Sequence, residues 1–538
     1  MKVVVLGGYG VFGARLVRLL VRDGHEVVVA GRTADKAAAL AQELGATDLV
    51  VDRAGDLGPL WAIAPDAVVD AAGPFHAYGA DPYALAKACI AQGVHYLDLA
   101  DAPAFCAGIG VLNQSAKDVG VFALSGVSSV PAISSAAVAQ LAQDMASVDT
   151  ISAAILPGNR APRGRAVVAS ILHQCGRPFQ VPVDGAPHPR RSWSAPARFD
   201  LGEGIFRKGW MIEVPDHRLF AAHFGARSVF FRAGLELGVM NYGLAVLSWL
   251  RGRLPFAIAG WFVGLMVGLA KLLWPFGTDE GGMCVAVTGR TPGGWRHRVW
   301  RLVAKSGEGP FIPTVAARAI LRVPSAIKHG ARPAVAEVPL ADVVAAMDDL
   351  AVSTQTQDDP AVPLFQRQLG DSFAKLPDPV QQAHAVYGPR CWTGRARVSR
   401  GGSLWARALA FLFGFPQASE DVPVTVAMVP QQGGEVWERQ FGTNVFRSYL
   451  QQKAGQMTER FGPFTFQLGL HVTDGELHFP VRAGRMGPVP MPRFLLPQSV
   501  TREYARDGRF HFDVAVKAPL TGKLMVHYQG SLERAIDG

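Results

Sequence analysis

The sequence has few cysteines and few charged residues. Its five cysteines are an odd number in 538 residues, and no two of them stand in a Cys-x-x-Cys spacing. Such a set favours neither a disulfide framework nor a zinc site, so we expect a reducing, cytoplasmic setting and no metal. Charged residues make up 18% of the chain and hydrophobic residues 49%, which excludes a disordered protein.

We also expect no secretory signal, because Met1 and Lys2 run directly into apolar residues. The length predicts about three domains. The net charge of +9 fits a nucleic acid, an anionic membrane surface or a phosphorylated ligand. No interleaved basic and aromatic motif accompanies this charge, so nucleic acid is not an expected partner.

A glycine-rich turn is the first strong pattern in the sequence. It follows a short apolar strand, residues 3–6, and precedes a helical pattern over residues 14–22. The turn fits both G-x-G-x-x-G and G-x-x-G-x-x-G. In this context its glycines allow close approach to a pyrophosphate, which the helix N-terminus attracts. The cofactor-binding residues predicted here are Gly7, Gly8, Tyr9, Gly10, Val11, Phe12 and Gly13.

The end of the next predicted strand, residues 27–30, favours NADP over NAD. NAD enzymes usually have an acidic residue there that binds the ribose 2′-hydroxyl. This sequence has Gly31, Arg32 and Thr33 instead. Gly31 leaves space, and Arg32 and Thr33 can donate hydrogen bonds to a 2′-phosphate. We therefore predict NADP as the cofactor.

Four further strands are predicted at residues 49–52, 67–72, 95–99 and 121–124, which gives a doubly wound parallel sheet, the α/β Rossmann fold. Ligands bind at the carboxyl ends of such strands. His76 and Tyr78 are the first candidates for proton transfer there, followed by Asp98 and Asp101. The candidates for positioning the cofactor at this edge are Ala72, Gly73, Pro74, Phe75, Ser128 and Ser129.

A Tyr-x-x-x-Lys pair, Tyr83 and Lys87, offers a competing interpretation. Short-chain dehydrogenases use such a pair, in which the lysine lowers the pKa of the tyrosine for proton transfer. Here the pair comes one short loop after the fourth strand instead of on a later helix beside the substrate. We therefore expect a helix that packs on the sheet through Ala84, Ala88 and Cys89.

Five stretches occur in an order and spacing that resemble the saccharopine dehydrogenase (saccharopine reductase-like) family: GGYGVFG, AGRT, AAGPFHAYG, HYLDLAD and SGVSSVPA. The resemblance covers residues 1–140 and continues more diffusely to about residue 330. It implies an NADP-binding domain, residues 1–140 completed by about 306–350, with an inserted α+β substrate or dimerisation domain, residues 141–305. It also implies that the loops GPFHAYG and GVSSVP approach the nicotinamide.

The inserted domain contains an apolar helical segment, residues 235–276. Residues 254–270 carry no charge, and a membrane-spanning helix needs about 20 apolar residues. Three interpretations remain open: a buried helix pair or dimer interface, a hairpin that dips into a membrane, and a spanning helix. A span would split one domain across the bilayer, so we expect peripheral membrane contact at most.

The last part of the chain follows a polar linker, predicted at residues 352–375, and forms a separate domain over residues 361–538. Alternating apolar residues predict an antiparallel sheet, with a helix expected over residues 444–459. One face of the sheet is apolar and either lines a ligand cavity or packs as a plain core. VWERQFG, TERFGPFTFQL and GPVPMPRFLLP resemble an uncharacterised domain that is often found after saccharopine dehydrogenase-like sequences.

Two functions follow from these patterns. The first is an NADP-dependent oxidoreductase that transfers hydride to or from a small hydrophobic substrate, a lipid-like compound with a C=C, C=O or C=N bond. The second is a non-catalytic NADP-binding scaffold whose last domain binds a lipid or a protein partner. Either protein can be a homodimer, and membrane association through residues 235–276 is compatible with both.

Overall fold

The computed structural model describes residues 1–162, 165–254, 258, 260–431 and 433–535, and leaves the side chains of His76 and of residues 165–167 undescribed. Two compact units are present. The first comprises Met1–Pro182 and Pro187–Asp359, and the second comprises Val183–Ala186 and Pro360–Gly538.

Strands and helices alternate in the first part of the chain. The strands are β1 (Lys2–Leu6), β2 (Glu26–Gly31), β3 (Thr47–Val50), β4 (Ala67–Asp70), β5 (His95–Asp98) and β6 (Phe122–Ser125). The helices are α1 (Gly13–Arg22), α2 (Ala34–Leu44), α3 (Gly58–Ala62), α4 (Ala84–Ala91), α5 (Pro103–Gly108), α6 (Asn113–Val119) and α7 (Ser134–Ala142). This alternation buries both faces of a parallel sheet.

An inserted region follows α7. Its strands are β7 (Ser147–Leu156), β8 (Pro178–Val183), β9 (Ala186–Arg191), β10 (Ser194–Asp200), β11 (Phe206–Met211), β12 (Ser228–Ala233), β13 (Gly281–Thr291) and β14 (Gly294–Ala304). Its helices are α8 (Arg165–Gln174), α9 (Asp216–Phe224), α10 (Gly238–Arg251) and α11 (Gly260–Leu272).

The chain then returns to the first sheet through α12 (Ile312–Arg322), β15 (Gly330–Pro333), α13 (Leu340–Ala345) and β16 (Val352–Pro360). β15 pairs in parallel with β6, so the first sheet has the order β15-β6-β5-β4-β1-β2-β3. This seven-stranded parallel sheet confirms the predicted Rossmann fold. A second, mixed sheet has the order β10-β11-β12-β7-β13-β14-β16.

The predicted linker at residues 352–375 was wrong. Residues 352–360 form β16, the edge strand of the second sheet, and a helix and a 3-10 turn follow it. Most of the β16 side chains are exposed. A polar sequence therefore suits this edge strand as well as it suits a linker.

The second unit contains a single large antiparallel sheet. Its helices are α14 (Leu364–Leu369), α15 (Asp378–His384) and α16 (Leu404–Leu412). Its strands are β17 (Arg390–Arg400), β18 (Ser419–Gln431), β19 (Gly434–Phe441), β20 (Asn444–Lys453), β21 (Gln456–Phe461), β22 (Phe464–Leu468), β23 (His471–Thr473), β24 (Glu476–His478), β25 (Val481–Met486), β26 (Val489–Pro490), β27 (Gln498–Arg506), β28 (Arg509–Lys517) and β29 (Leu524–Arg534).

The helix predicted over residues 444–459 was also wrong, because these residues form β20 and most of β21. The buried residues of β20 are Phe446, Ser448 and Leu450, which alternate as in a strand with one buried face. Val445, Phe446, Tyr449 and Leu450 stand at spacings that also suit a helix. Because the polar Ser448 lies on the buried face, the apolar residues of β20 do not alternate regularly in the sequence.

The apolar segment of the inserted region forms two helices, α10 and α11. Residues 255–257 and 259, which fall within this segment, lie outside the described residues. Nowhere in the described part of the chain is a helix both long enough and apolar enough to span a membrane.

Candidate functional site

The glycine-rich turn between β1 and α1 is tightly packed. A Cβ atom on Gly13 would lie 2.2 Å from the Gly7 carbonyl oxygen, and one on Gly7 would lie 2.8 Å from the Ala72 Cα. Gly7 also has a φ of +71°, which favours glycine. The first turn of α1, all of it described, carries no acidic residue. Its N–H groups and dipole therefore suit a pyrophosphate.

Tyr9 joins this turn to the next one. Its hydroxyl accepts a hydrogen bond of 3.1 Å from the Thr33 N–H. A Cβ atom on Gly31 would lie 2.5 Å from the Tyr9 ring, so only glycine leaves room for the ring. Arg32 follows on the surface with an exposed side chain. The end of β2 thus presents a cation and no acid, which fits a ribose 2′-phosphate.

The structure brings the predicted cofactor residues to one edge of the parallel sheet. Residues 7–13 follow β1, and Arg32 and Thr33 follow β2. Ala72, Gly73, Pro74 and Phe75 follow β4, and Ser128 and Ser129 follow β6. Because these strands are parallel, their carboxyl ends share that edge.

Tyr78, a candidate for proton transfer, is held by a carboxylate that the sequence analysis did not single out. Its hydroxyl donates to Asp70, at 3.1 and 3.2 Å from the two carboxylate oxygens. The Arg53 guanidinium lies over the Tyr78 ring and 3.8 Å from Asp70. Burial and the charge of Asp70 raise the pKa of Tyr78 well above its usual range, so its hydroxyl stays protonated.

Asp98, the second candidate, is fully buried at the end of β5. One carboxylate oxygen accepts hydrogen bonds from the Gly126 N–H at 2.8 Å, the Ala100 N–H at 3.0 Å and the Ser125 hydroxyl at 3.0 Å. Burial raises its pKa to about 7. Asp98 therefore fixes the start of the loop that carries Ser128 and Ser129.

His76 and Asp101 are the two remaining candidates for proton transfer. The His76 side chain is outside the described part of the structure, although its backbone belongs to a short 3-10 helix that spans Phe75–Ala77. Asp101 is exposed on the loop after β5. The structure therefore brings Tyr78 and Asp98 to the same sheet edge in buried surroundings and leaves Asp101 at the surface.

Sequence reasoning missed a second buried acid, Asp216 at the start of α9. It is 1% exposed, and burial raises its pKa to about 7. Neither carboxylate oxygen has a hydrogen-bond partner of good geometry among the described residues, although the Ser134 hydroxyl is close enough to lower the pKa. No motif surrounds Asp216, so only its burial reveals it.

Tyr83 and Lys87 do not form a catalytic pair in this structure. The Tyr83 hydroxyl donates to the Phe105 carbonyl at 2.7 Å. The Lys87 ammonium group forms an ion pair with Asp81 at 2.9 Å. The helix that carries Lys87 packs on the parallel sheet, as expected, through Leu85, Ala86, Cys89 and Ile90. Of the residues expected on that face, Cys89 is buried, whereas Ala84 is exposed and Ala88 half-buried.

Comparisons with known proteins agree with this geometry at both ends of the chain. Residues 3–124 match the family model described as saccharopine dehydrogenase NADP binding domain. Residues 376–532 match a domain of unknown function, DUF4166. None of the curated proteins compared matches the chain.

Two solved structures resemble the fold. Apo saccharopine dehydrogenase (L-Glu forming) from Saccharomyces cerevisiae is 12% identical, with a TM-score of 0.48, over 66% of this chain and 99% of that one. A probable dehydrogenase from Thermotoga maritima is 10% identical, with a TM-score of 0.32, over 64% of this chain and 93% of that one.

The family match confirms the resemblance seen in the sequence and the predicted cofactor. Residues 3–124 match a domain that is described as NADP binding, which supports NADP as the cofactor.

Proposed function

We propose that this protein is an NADP-dependent oxidoreductase that transfers hydride between the nicotinamide and a hydrophobic substrate with a C=C, C=O or C=N bond. NADP supplies the hydride chemistry when bound. The protein binds the cofactor, orients the substrate and provides the proton that balances the hydride. The observation that carries the proposal is the tight Gly7–Gly13 turn, with Arg32 at the end of the neighbouring strand.

The loop after β4 supports an enzyme over a scaffold. Gly73, Pro74 and Ala77 are exposed, so the inserted region leaves that side of the loop open. Tyr78 on the same loop is a protonated hydroxyl hydrogen-bonded to Asp70. The Asp70 carboxylate holds this hydroxyl in place, and a proton that Tyr78 gives to a substrate anion is replaced from solvent at the open side of the loop. We propose Tyr78 as the proton donor and Asp70 as its partner.

Aromatic side chains pack behind this loop. The ring centroids of Phe75 and Phe105 are 5.3 Å apart, and Tyr78 lies 4.9 Å from Phe75 and 5.4 Å from Phe105. Phe75 and Phe105 are 7% and 5% exposed, so this cluster is part of the core and holds the loop in shape. The proposal of a hydrophobic substrate rests on the apolar helices of the inserted region.

The helices α10 and α11 support delivery of that substrate from a membrane surface. Trp249, Trp261 and Phe276 are 55%, 73% and 72% exposed. Arg251 and Lys271 lie in the last turns of the two helices. Exposed tryptophans beside cations suit an anionic bilayer surface.

Vesicle sedimentation tests this membrane contact. We expect the protein to sediment with vesicles that contain phosphatidylserine, and a Trp261→Ser variant to bind them several-fold more weakly. A protein that stays in the supernatant and forms a dimer in light scattering would instead assign this surface to a second copy of the chain.

Cofactor selectivity tests the main proposal. Arg32→Ala should weaken NADPH binding by about 10- to 100-fold, because a hydrogen bond to a charged group contributes about 1.5–3 kcal/mol. It should leave NADH binding unchanged, because NADH has no 2′-phosphate. Titration of NADPH fluorescence measures both affinities. Arg22→Ala, at the far end of α1, is the matched control and should bind both cofactors as the wild type does.

Turnover separates the enzyme from the scaffold. We expect the protein to oxidise NADPH in the presence of apolar ketones, enals or imines, and Tyr78→Phe to slow this oxidation while NADPH binding is retained. A protein that binds NADPH tightly but oxidises it with none of these compounds, nor with cell lipid extracts, would support the non-catalytic scaffold.

A further inference from the structure

The large antiparallel sheet of the second unit encloses a cavity that the proposed reaction does not use. Its volume is about 120 Å³. Side chains from β18 and β19 and from β27 and β28 line it together, although β17 and β29 separate these pairs in the sheet order. The sheet therefore curls around the cavity.

The cavity opens near one end of β28. Phe510 and Phe512 are 3% and 6% exposed, whereas Val514 and Val516, further along the same face, are half-buried. All four line the cavity. The increase in exposure along the strand places the opening near Val516.

The surroundings of that opening are apolar. Leu520 and Phe494 are 66% and 65% exposed, and the Leu520 N–H donates to the Phe494 carbonyl at 3.2 Å. Trp405 of α16 reaches the same loop, since its ring N–H donates to the Pro519 carbonyl at 3.1 Å. An apolar surface for an incoming ligand therefore lies beside the opening, next to the exposed Lys517 and Lys523.

The lining is not purely apolar. Arg439 and Glu459 are each 12% exposed and form an ion pair of 3.2 Å. Arg439 also donates to the Ser448 hydroxyl at 2.8 Å. A second lining acid, Glu503, lies 2.5 Å from a ring nitrogen of His384. A simple packing void has no need of such groups, because buried charges are costly.

We propose that this cavity is a binding site for a neutral amphiphile, with an aliphatic or aromatic body and one hydroxyl or carbonyl group. The aromatic and aliphatic walls bind the body. The lining hydroxyls of Ser499, Thr501 and Tyr528 are the groups that bind the polar end.

The charges select a neutral ligand. Arg439 is already paired with Glu459, and Glu503 with His384, so no cation in the lining is left for an added carboxylate. A carboxylate ligand would meet two lining carboxylates, and an ammonium ligand would meet Arg439. Either charged ligand would also lose its hydration on entry.

The volume sets the size of the ligand. A cavity of about 150 Å³ is known to bind benzene. The cavity here is slightly smaller, so it suits a body of about six carbon atoms, and a longer chain would extend through the opening near Val516.

Calorimetry of the full-length protein with 1-heptanol, heptanoate and heptylamine tests the proposal, because these probes differ only in the charge of the head group. We expect 1-heptanol to bind at one site with a negative heat-capacity change, the mark of apolar burial. Heptanoate and heptylammonium should bind at least 10-fold more weakly. Absence of 1-heptanol binding, or equal binding of all three probes, would overturn the proposal.

Two variants locate the site. Val514→Phe fills the cavity and should weaken 1-heptanol binding at least 10-fold. Ala515→Phe, one residue along and on the opposite face of β28, is the matched control and should leave binding unchanged. Glu459→Gln leaves Arg439 without its partner carboxylate and should raise heptanoate affinity at least 10-fold. If 1-heptanol binds both phenylalanine variants equally, or if heptanoate affinity is unchanged in Glu459→Gln, the site lies elsewhere.

Discussion

The parallel sheet of the first unit and the antiparallel sheet of the second create binding space in different ways. The parallel sheet, β15-β6-β5-β4-β1-β2-β3, is buried on both faces and offers its ligand only the loops at one edge. The antiparallel sheet alternates buried and exposed residues and curls around a cavity on one face. Backbone shape therefore determines recognition at the first site, whereas side-chain volume and charge determine it at the second.

The largest expected effect separates the stabilities of the two units. Arg318 of α12 is 2% exposed and pairs with Asp23 at 2.8 Å and with Asp349. Arg318→Met should destabilise the first unit by about 3–5 kcal/mol, because it removes a partner from Asp23, whose side chain is only 10% exposed. Calorimetry should show the unfolding transition of the first unit at a lower temperature and that of the second unit unchanged.

Arg22→Met is the control for this change. Arg22 pairs with Asp349 but is 48% exposed, so the substitution should cost less than about 1 kcal/mol. If Arg318→Met instead shows a single unfolding transition at a lower temperature, the two units unfold together and their stabilities are not separate.

The next effect separates the two binding sites. Gly13→Ala places a Cβ atom 2.2 Å from the Gly7 carbonyl oxygen and should weaken NADPH binding about 100-fold, an effect of about 2.7 kcal/mol. Binding of 1-heptanol should be unaffected. Gly110→Ala is the control, because no atom lies within 4 Å of a Cβ built there and the φ of Gly110 is not positive. If Gly13→Ala bound NADPH as the wild type does, the turn would not be the cofactor site.

The pH dependence of stability differs between the two units. Burial raises the pKa of Asp216 in the first unit to about 7, and that of Glu435 in the second to about 6. As pH rises, the unfolded chain loses these protons first, near its ordinary pKa values of about 4. The protonated carboxyl groups therefore contribute their full stability below about pH 4. The contribution of Asp216 is lost as the pH rises to about 7, and that of Glu435 as it rises to about 6.

Asp216→Asn and Glu435→Gln test these two ranges by thermal unfolding between pH 4 and 8. In each variant, the free energy of unfolding of the corresponding unit should fall less between pH 4 and 8 than in the wild type. For Asp216→Asn the difference should be on the order of 2–4 kcal/mol. The opposite result would be a first unit that becomes more stable from pH 4 to 7 in the wild type and shows the same pH dependence in Asp216→Asn. It would show that Asp216 is ionised throughout.

The smallest effect concerns Lys87. Its ion pair with Asp81 is about half exposed and contributes less than about 1 kcal/mol. We expect Lys87→Ala to keep NADPH binding and turnover within about twofold of the wild type. A loss of turnover beyond 100-fold would restore the short-chain dehydrogenase interpretation of Tyr83 and Lys87.

The first sheet was predictable because its signals are local. Apolar β-branched runs such as residues 3–6 and 27–30 lead directly into the turns that bind the cofactor, so strand and site appear in one stretch. The site residues that were missed, Asp70 and Asp216, carry no such signal. The importance of Asp70 comes from Tyr78 and Arg53, and that of Asp216 from burial against α5 and α7.

The antiparallel sheet was only partly predictable. Alternation identified strands such as residues 422–428 and 464–468, and one apolar face followed from it. It failed at β20 because Ser448 lies on the buried face. It also failed at β16, in the mixed sheet of the first unit, because this edge strand is polar on both faces. The curvature that creates the cavity depends on contacts between distant strands, which periodicity does not report.

The position of β15 has a consequence for synthesis. The strand that completes the first sheet pairs with β6, which ends roughly 200 residues earlier in the chain. Translation at about 5–20 residues per second leaves the edge of β6 unpaired for roughly 10–40 s while the inserted region is made. During that interval the nascent chain carries an open β-edge, and a chaperone or the ribosome surface is the natural cover for it.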